Sequence, residues 1–134
     1  MLDGILPASW QGFTHAALRI MTGLLFLHHG TAKILKFPNI DAMLQATAMP
    51  SGLVVGTGLV ELIGGFLIVI GFFTRTVSFV LSGYMAVAYF LAHAPMGFFP
   101  SLNFGESAIL YCFIFLWLAT AGAGPFSVSG SRRA

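Results

Sequence analysis

The chain has 134 residues, of which 57% are hydrophobic and 7% charged, with six lysines and arginines against four acids. Soluble domains carry about 25% charged residues, so a soluble globular protein is excluded and an integral membrane protein is implied. The net charge of +2 is scattered along the chain and the one cysteine, Cys112, lies in an apolar run, which rules out a nucleic-acid-binding patch, an intramolecular disulfide and a CxxC relay.

Hydropathy and breakers predict four membrane spans in chain order, at 13–31, 52–73, 76–93 and 106–122. Each has roughly the ~20 residues a bilayer crossing needs. Together they use nearly the whole chain, so 1–134 is expected to be one all-α domain, a four-helix transmembrane bundle.

The first span holds Arg19 inside its apolar run rather than before it, with no small-residue cleavage site close behind, so a retained helix is expected rather than a signal peptide. His15, Arg19, Thr22, Phe26, His29 and Lys33 follow spacings of three and four and share one helical face. The connection after it contains Pro38 and Pro50 around Ile40, Met43 and Leu44, whose spacing suggests a short helix along the interface.

The second span contains Glu61 near its middle. A carboxylate in hydrocarbon is costly unless a cation, a hydrogen bond, a proton or water meets it. Gly58, Gly64 and Gly65 on this helix are read as packing residues that let a neighbouring backbone approach. Only Thr74 and Arg75 separate the second and third spans, which predicts a tight antiparallel hairpin.

The third span offers Ser82, Ala86, Tyr89 and His93 on one face, and the connection at 94–105 has two prolines and two glycines that argue against a helix. An even number of spans puts both termini on one side. Arg75, Arg132, Arg133 and, less directly, Arg19 belong to that side against Lys33 and Lys36 on the other, so the positive-inside rule predicts cytoplasmic termini.

Threading the spans in alternation brings polar residues together. Arg19 and Glu61, measured from the cytoplasmic end at about 1.5 Å per residue, fall close enough for an ion pair. The pair reads either as a structural lock or as a proton site. Near the opposite face His28, His29, Lys33, His93, Asn103 and Glu106 form a polar layer suited to a quinone carbonyl or a partner protein. His29, His93 and Glu106 have the chemistry of zinc, iron or copper ligands, although no metal is expected, and Glu106 is equally placed to serve the dipole at the start of its helix.

The stretches Leu-Phe-Leu-His-His-Gly-Thr-Ala-Lys at 25–33, Gly-Leu-Val-Glu-Leu-Ile-Gly-Gly at 58–65, Gly-Phe-Phe-Thr-Arg at 71–75 and Phe-Phe-Pro-Ser-Leu-Asn-Phe-Gly-Glu-Ser-Ala at 98–108 resemble the DoxX family in order and spacing. That resemblance implies a small four-helix protein of the bacterial inner membrane. It implies a redox setting as well: one member is linked to thiosulfate oxidation with quinone as acceptor, and another to an oxidoreductase complex handling oxidative and thiol stress. Positions matching the family pattern are Gly30, Lys33, Glu61, Gly64, Gly65, Arg75, His93, Asn103 and Glu106.

The functional expectation is therefore a membrane subunit of a quinone-linked oxidoreductase, with no intrinsic cofactor and quinone as the candidate ligand. Haem motifs, iron-sulfur cysteines and nucleotide fingerprints are absent from the sequence, so electrons would come from a membrane or peripheral protein partner. A non-catalytic scaffold or accessory subunit is the alternative, and small-solute transport a third reading. Lipids surround the bundle in every case, and a monomer, a homo-oligomer and burial in a larger complex are all compatible with it.

Overall fold

The computed structural model describes residues 4–129; Arg132 and Arg133, read above as cytoplasmic anchors, lie outside the described residues. The fold is all-α. Among the described residues there are six α-helices: α1 Gln11–Ile34, α2 Asp41–Thr47, α3 Ser51–Ile70, α4 Thr74–Ala88, α5 Pro100–Asn103 and α6 Glu106–Ala121. A π-helical turn, Tyr89–His93, and a 3-10 turn, Ala94–Met96, prolong α4. Among the described residues two helical stretches are long and apolar enough to cross a membrane, Ser51–Ile70 and Thr74–Met96.

The four longer helices pack as two pairs, α1 against α3 and α4 against α6. Glycine sets the first pair. A β-carbon on Gly65 would stand 2.6 Å from the Leu27 nitrogen, one on Gly23 2.9 Å from the Val69 nitrogen, and one on Gly30 would overlap the Leu62 backbone. Only a missing side chain permits such approach. Gly58 meets Lys33 and Ile34, and Gly64 meets Leu81, so all three glycines expected to pack do so, and Gly23 and Gly30 join them.

A single apolar cluster joins the two pairs. Phe26 of α1, Ile68 of α3, Leu81 of α4, and Phe115 and Leu118 of α6 are buried together. Phe26 stands at its centre, edge-on to Tyr84, Tyr111 and Phe115, an arrangement aromatic quadrupoles favour. The outward faces are apolar too: Ile63 and Phe66 on α3, Phe79 and Val80 on α4, and Leu110 and Phe113 on α6 are exposed. Patches on this scale suit a hydrocarbon solvent rather than water.

Several boundaries differ from the sequence expectation. α3 ends at Ile70, short of 73, because Gly71 adopts φ 68°, ψ 45° and the Gly71 and Phe72 amides bond back to Ile68 and Leu67. That double closure is the Schellman stop, and it moves the hairpin turn to Gly71–Phe73. The connection at 94–105 is not free of helix: Pro100 opens α5 from its first turn, where its missing N–H costs no helical bond. The short helix expected near Ile40–Leu44 forms as α2.

Candidate functional site

α1 and α3 run antiparallel, with Gly30 facing Leu62, Gly65 facing Leu27 and Gly23 facing Val69. This register puts the last turns of α1 beside Glu61. Lys33 Nζ lies 2.9 Å from Glu61 Oε1 and donates also to Thr57 Oγ1 at 3.1 Å. From α4, Tyr84 OH donates to the same carboxylate oxygen at 3.1 Å. Three helices thus meet at one carboxylate.

The expected Arg19–Glu61 pair does not form. Arg19 faces Gly71, about 18 Å along α1 from the level of Glu61 at ~1.5 Å per residue. α1 begins well beyond the end of α3, so matching the two helix ends, as the sequence reading did, misplaces their register. The Arg19 side chain is fully buried, and its guanidinium donates to the carbonyls of Ala123, Pro125 and Phe126, the last two at 3.0 and 2.7 Å. Those carbonyls belong to a strap after α6, which also bonds back to α3 through Val128 N to Ile70 O and Ser129 N to Gly71 O.

The polar layer expected at the other end is divided. Lys33 leaves it for Glu61. His93 and Asn103 do come together: His93 Nδ1 lies 2.9 Å from the Asn103 carbonyl, while the Asn103 amide nitrogen donates to Tyr89 OH and the Gly97 carbonyl, and its Oδ1 accepts from the Gly105 amide. Asn103 is fully buried, so this knot ties the 94–105 connection to the end of α4. His28 and His29 are exposed side by side on α1, with His29 edge-on to Tyr111, and Glu106 is exposed in the first turn of α6. Among the described residues no three His, Cys, Asp or Glu side chains converge as a metal site. His29, His93 and Glu106 are therefore not gathered, because each is carried off by its own helix or loop.

Two features of the Glu61 cluster bear on its chemistry. Glu61 Oε2 is buried and has no hydrogen-bond partner. Beside the cluster an apolar groove of about 370 Å³ runs between α3 and α4, lined by residues such as Val60, Ile63, Gly64, Val77, Val80 and Leu81. Gly64 and Leu81 are each one helical turn from Glu61 and Tyr84. The sequence reading does not find Tyr84 as a partner of Glu61. The signal was present: Glu61 and Tyr84 stand nearly equidistant from the Gly71–Phe73 turn, as partners in an antiparallel hairpin must.

The sequence profile of the DoxX family matches residues 14–94. An uncharacterized protein of Haemophilus influenzae is 43% identical over 112 residues, covering 81% of this chain and 83% of the relative. Inner membrane protein YqjF of Escherichia coli is 29% identical over 118 residues, covering 82% and 85%. No solved structure matches.

Proposed function

Because the chain belongs to the DoxX family, we propose that it is a multi-pass subunit of the bacterial inner membrane whose Lys33–Glu61–Tyr84 cluster receives a quinone headgroup for an oxidoreductase complex. The observation that carries this reading is Glu61 Oε2, buried without a partner beside a lysine and a phenol. An oxygen so placed in an apolar bundle favours a ligand hydroxyl or a proton. Lys33 has a third N–H beyond those given to Glu61 and Thr57, a donor for a quinone carbonyl. The groove between α3 and α4 is apolar and lies one helical turn from Glu61 and Tyr84, a setting suited to an isoprenoid tail.

Reducing a quinone to a quinol takes up two electrons and two protons. In this reading a protein partner supplies both electrons and one proton, and Glu61 passes the other proton. The bundle crosses the membrane four times, α1 and α6 joining the two longer apolar stretches; the likeness to an inner membrane protein of Escherichia coli supports the location. Arg19 and Arg75 lie at the end of the bundle where α1 begins and α6 ends, which by the positive-inside rule is the cytoplasmic end.

Replacing Glu61 by Gln tests the site. Membranes in which the complex assembles but quinone-dependent turnover is lost support it. Intact assembly with unaltered turnover overturns it. Loss of assembly itself supports the second reading, a scaffold whose buried ion pair locks the helices that partners dock against, a reading favoured by the tie that Glu61 makes between α1 and α4.

A further inference from the structure

The opposite end of the bundle carries a second cavity, of about 620 Å³, between the start of α4 and the strap after α6. Its wall includes His15, Thr74, Arg75, Thr76, Gly122 and Ser129, and among the described residues no acidic side chain lines it. The carbonyl groups on the strap side are already occupied. His15 Nε2 lies 2.9 Å from Gly122 O, Arg19 donates to Ala123 and Pro125, and Arg75 Nη1 donates to Thr120 at the end of α6. Cationic and ring-nitrogen partners therefore screen the negative end of α6.

The α4 side presents donors. Its first helical bond runs from Val77 N to Phe73 O at 3.0 Å, so the amides of Thr74, Arg75 and Thr76 have no acceptor within the helix. Thr74 is 2% exposed, lines the cavity, and its Oγ1 is buried with no hydrogen-bond partner. Nε and Nη2 of Arg75 stand against Gly122 in the same wall, where a β-carbon would sit 3.2 Å from each. Glycine at 122 keeps the guanidinium at the cavity surface. A helix N-terminus, an unpartnered hydroxyl buried in the same wall and a guanidinium against Gly122 together are complementary to a tetrahedral anion.

We propose that this cavity binds a phosphate-type oxyanion, with Thr74 Oγ1, the first-turn amides of α4 and the Arg75 guanidinium as its donors. The same chemistry is offered by the phosphodiester of an anionic membrane lipid and by free phosphate. Phe73, exposed and at φ 48° immediately before the site, stands where acyl chains would surround it and favours the lipid.

The test uses the full chain purified in an uncharged detergent, titrated separately with phosphatidylglycerol, phosphatidylcholine and inorganic phosphate, with lipid retention by native mass spectrometry and the unfolding midpoint as readouts. Phosphatidylglycerol is expected to be retained and to raise the midpoint; Thr74→Val and Arg75→Gln each weaken this by about ten-fold, the equivalent of one hydrogen bond to a charged group, while Thr74→Ser retains it. A shift with inorganic phosphate that depends on Thr74 in the same way assigns the site to the free ion. If wild type and both variants respond alike to all three probes, the proposal is overturned. Should Arg75→Gln fail to fold, the comparison of Thr74→Val with Thr74→Ser decides the matter alone.

Discussion

Lys33 Nζ lies 2.9 Å from Glu61 Oε1 and ties the last turn of α1 to the middle of α3. Both side chains are largely buried, at 14% and 9% exposure, so neither charge has water as a substitute partner. Removing one partner of such a pair costs about 3–5 kcal/mol, because the other charge remains buried and unpaired. Lys33→Met is expected to lower stability by that order, and Lys33→Met combined with Glu61→Met to recover much of it. Reversible unfolding in detergent checks this; a double variant as unstable as the sum of the singles would show that the two residues do not act as a unit.

Arg19 and Glu61 are structurally independent, some 18 Å apart along the bundle at ~1.5 Å per residue. A double-mutant cycle between Arg19→Gln and Glu61→Gln should give a coupling within about 0.5 kcal/mol, whereas Lys33 and Glu61 should couple by about 0.5–3 kcal/mol. A strong Arg19–Glu61 coupling would contradict the observed register.

Gly65 and Gly30 face backbone across the α1–α3 interface, while Gly56 and Gly83 have nothing within 4 Å of a β-carbon position. Gly65→Ala and Gly30→Ala are each expected to cost about 1–3 kcal/mol through overpacking. Gly56→Ala and Gly83→Ala should be neutral or slightly stabilising, since alanine is the better helix former. Unfolding midpoints of the four variants, measured side by side, test the contrast.

Asn103 holds the 94–105 connection through its amide and carbonyl groups. Asn103→Ala leaves the buried Gly105 amide without its partner, at a cost of about 1–3 kcal/mol. Hydrogen exchange should quicken across 97–105 while protection of α1 and α3 is retained. Equal loss of protection throughout would mean that the knot holds the whole bundle.

Much of the site was legible before any coordinates. An acid in the middle of an apolar run announces a buried polar centre, and the three- and four-residue spacing on α1 correctly groups Arg19, Thr22 and Phe26 on the buried face. Gly58, Gly64 and Gly65 were identifiable as contact residues because small side chains in an apolar helix have no better use. The partner of Glu61 was not legible. Two cations on one helical stripe, Arg19 and Lys33, are equivalent candidates until the sliding position of α1 against α3 is known.

The sequence by itself determined an all-α membrane protein, the family, the inward faces of its helices and the presence of a charge that must be met inside, since all of these follow from composition and from the helical period. Only the tertiary structure decided which cation meets Glu61, that Arg19 instead fastens the strap after α6, and that Thr74 and Arg75 share a cavity. The physical reason is the same in each case. Periodicity fixes the direction in which a side chain points, but how far one helix slides along another is set by backbone contacts such as Gly30 on Leu62, and by a Schellman stop at Gly71 that shortened α3.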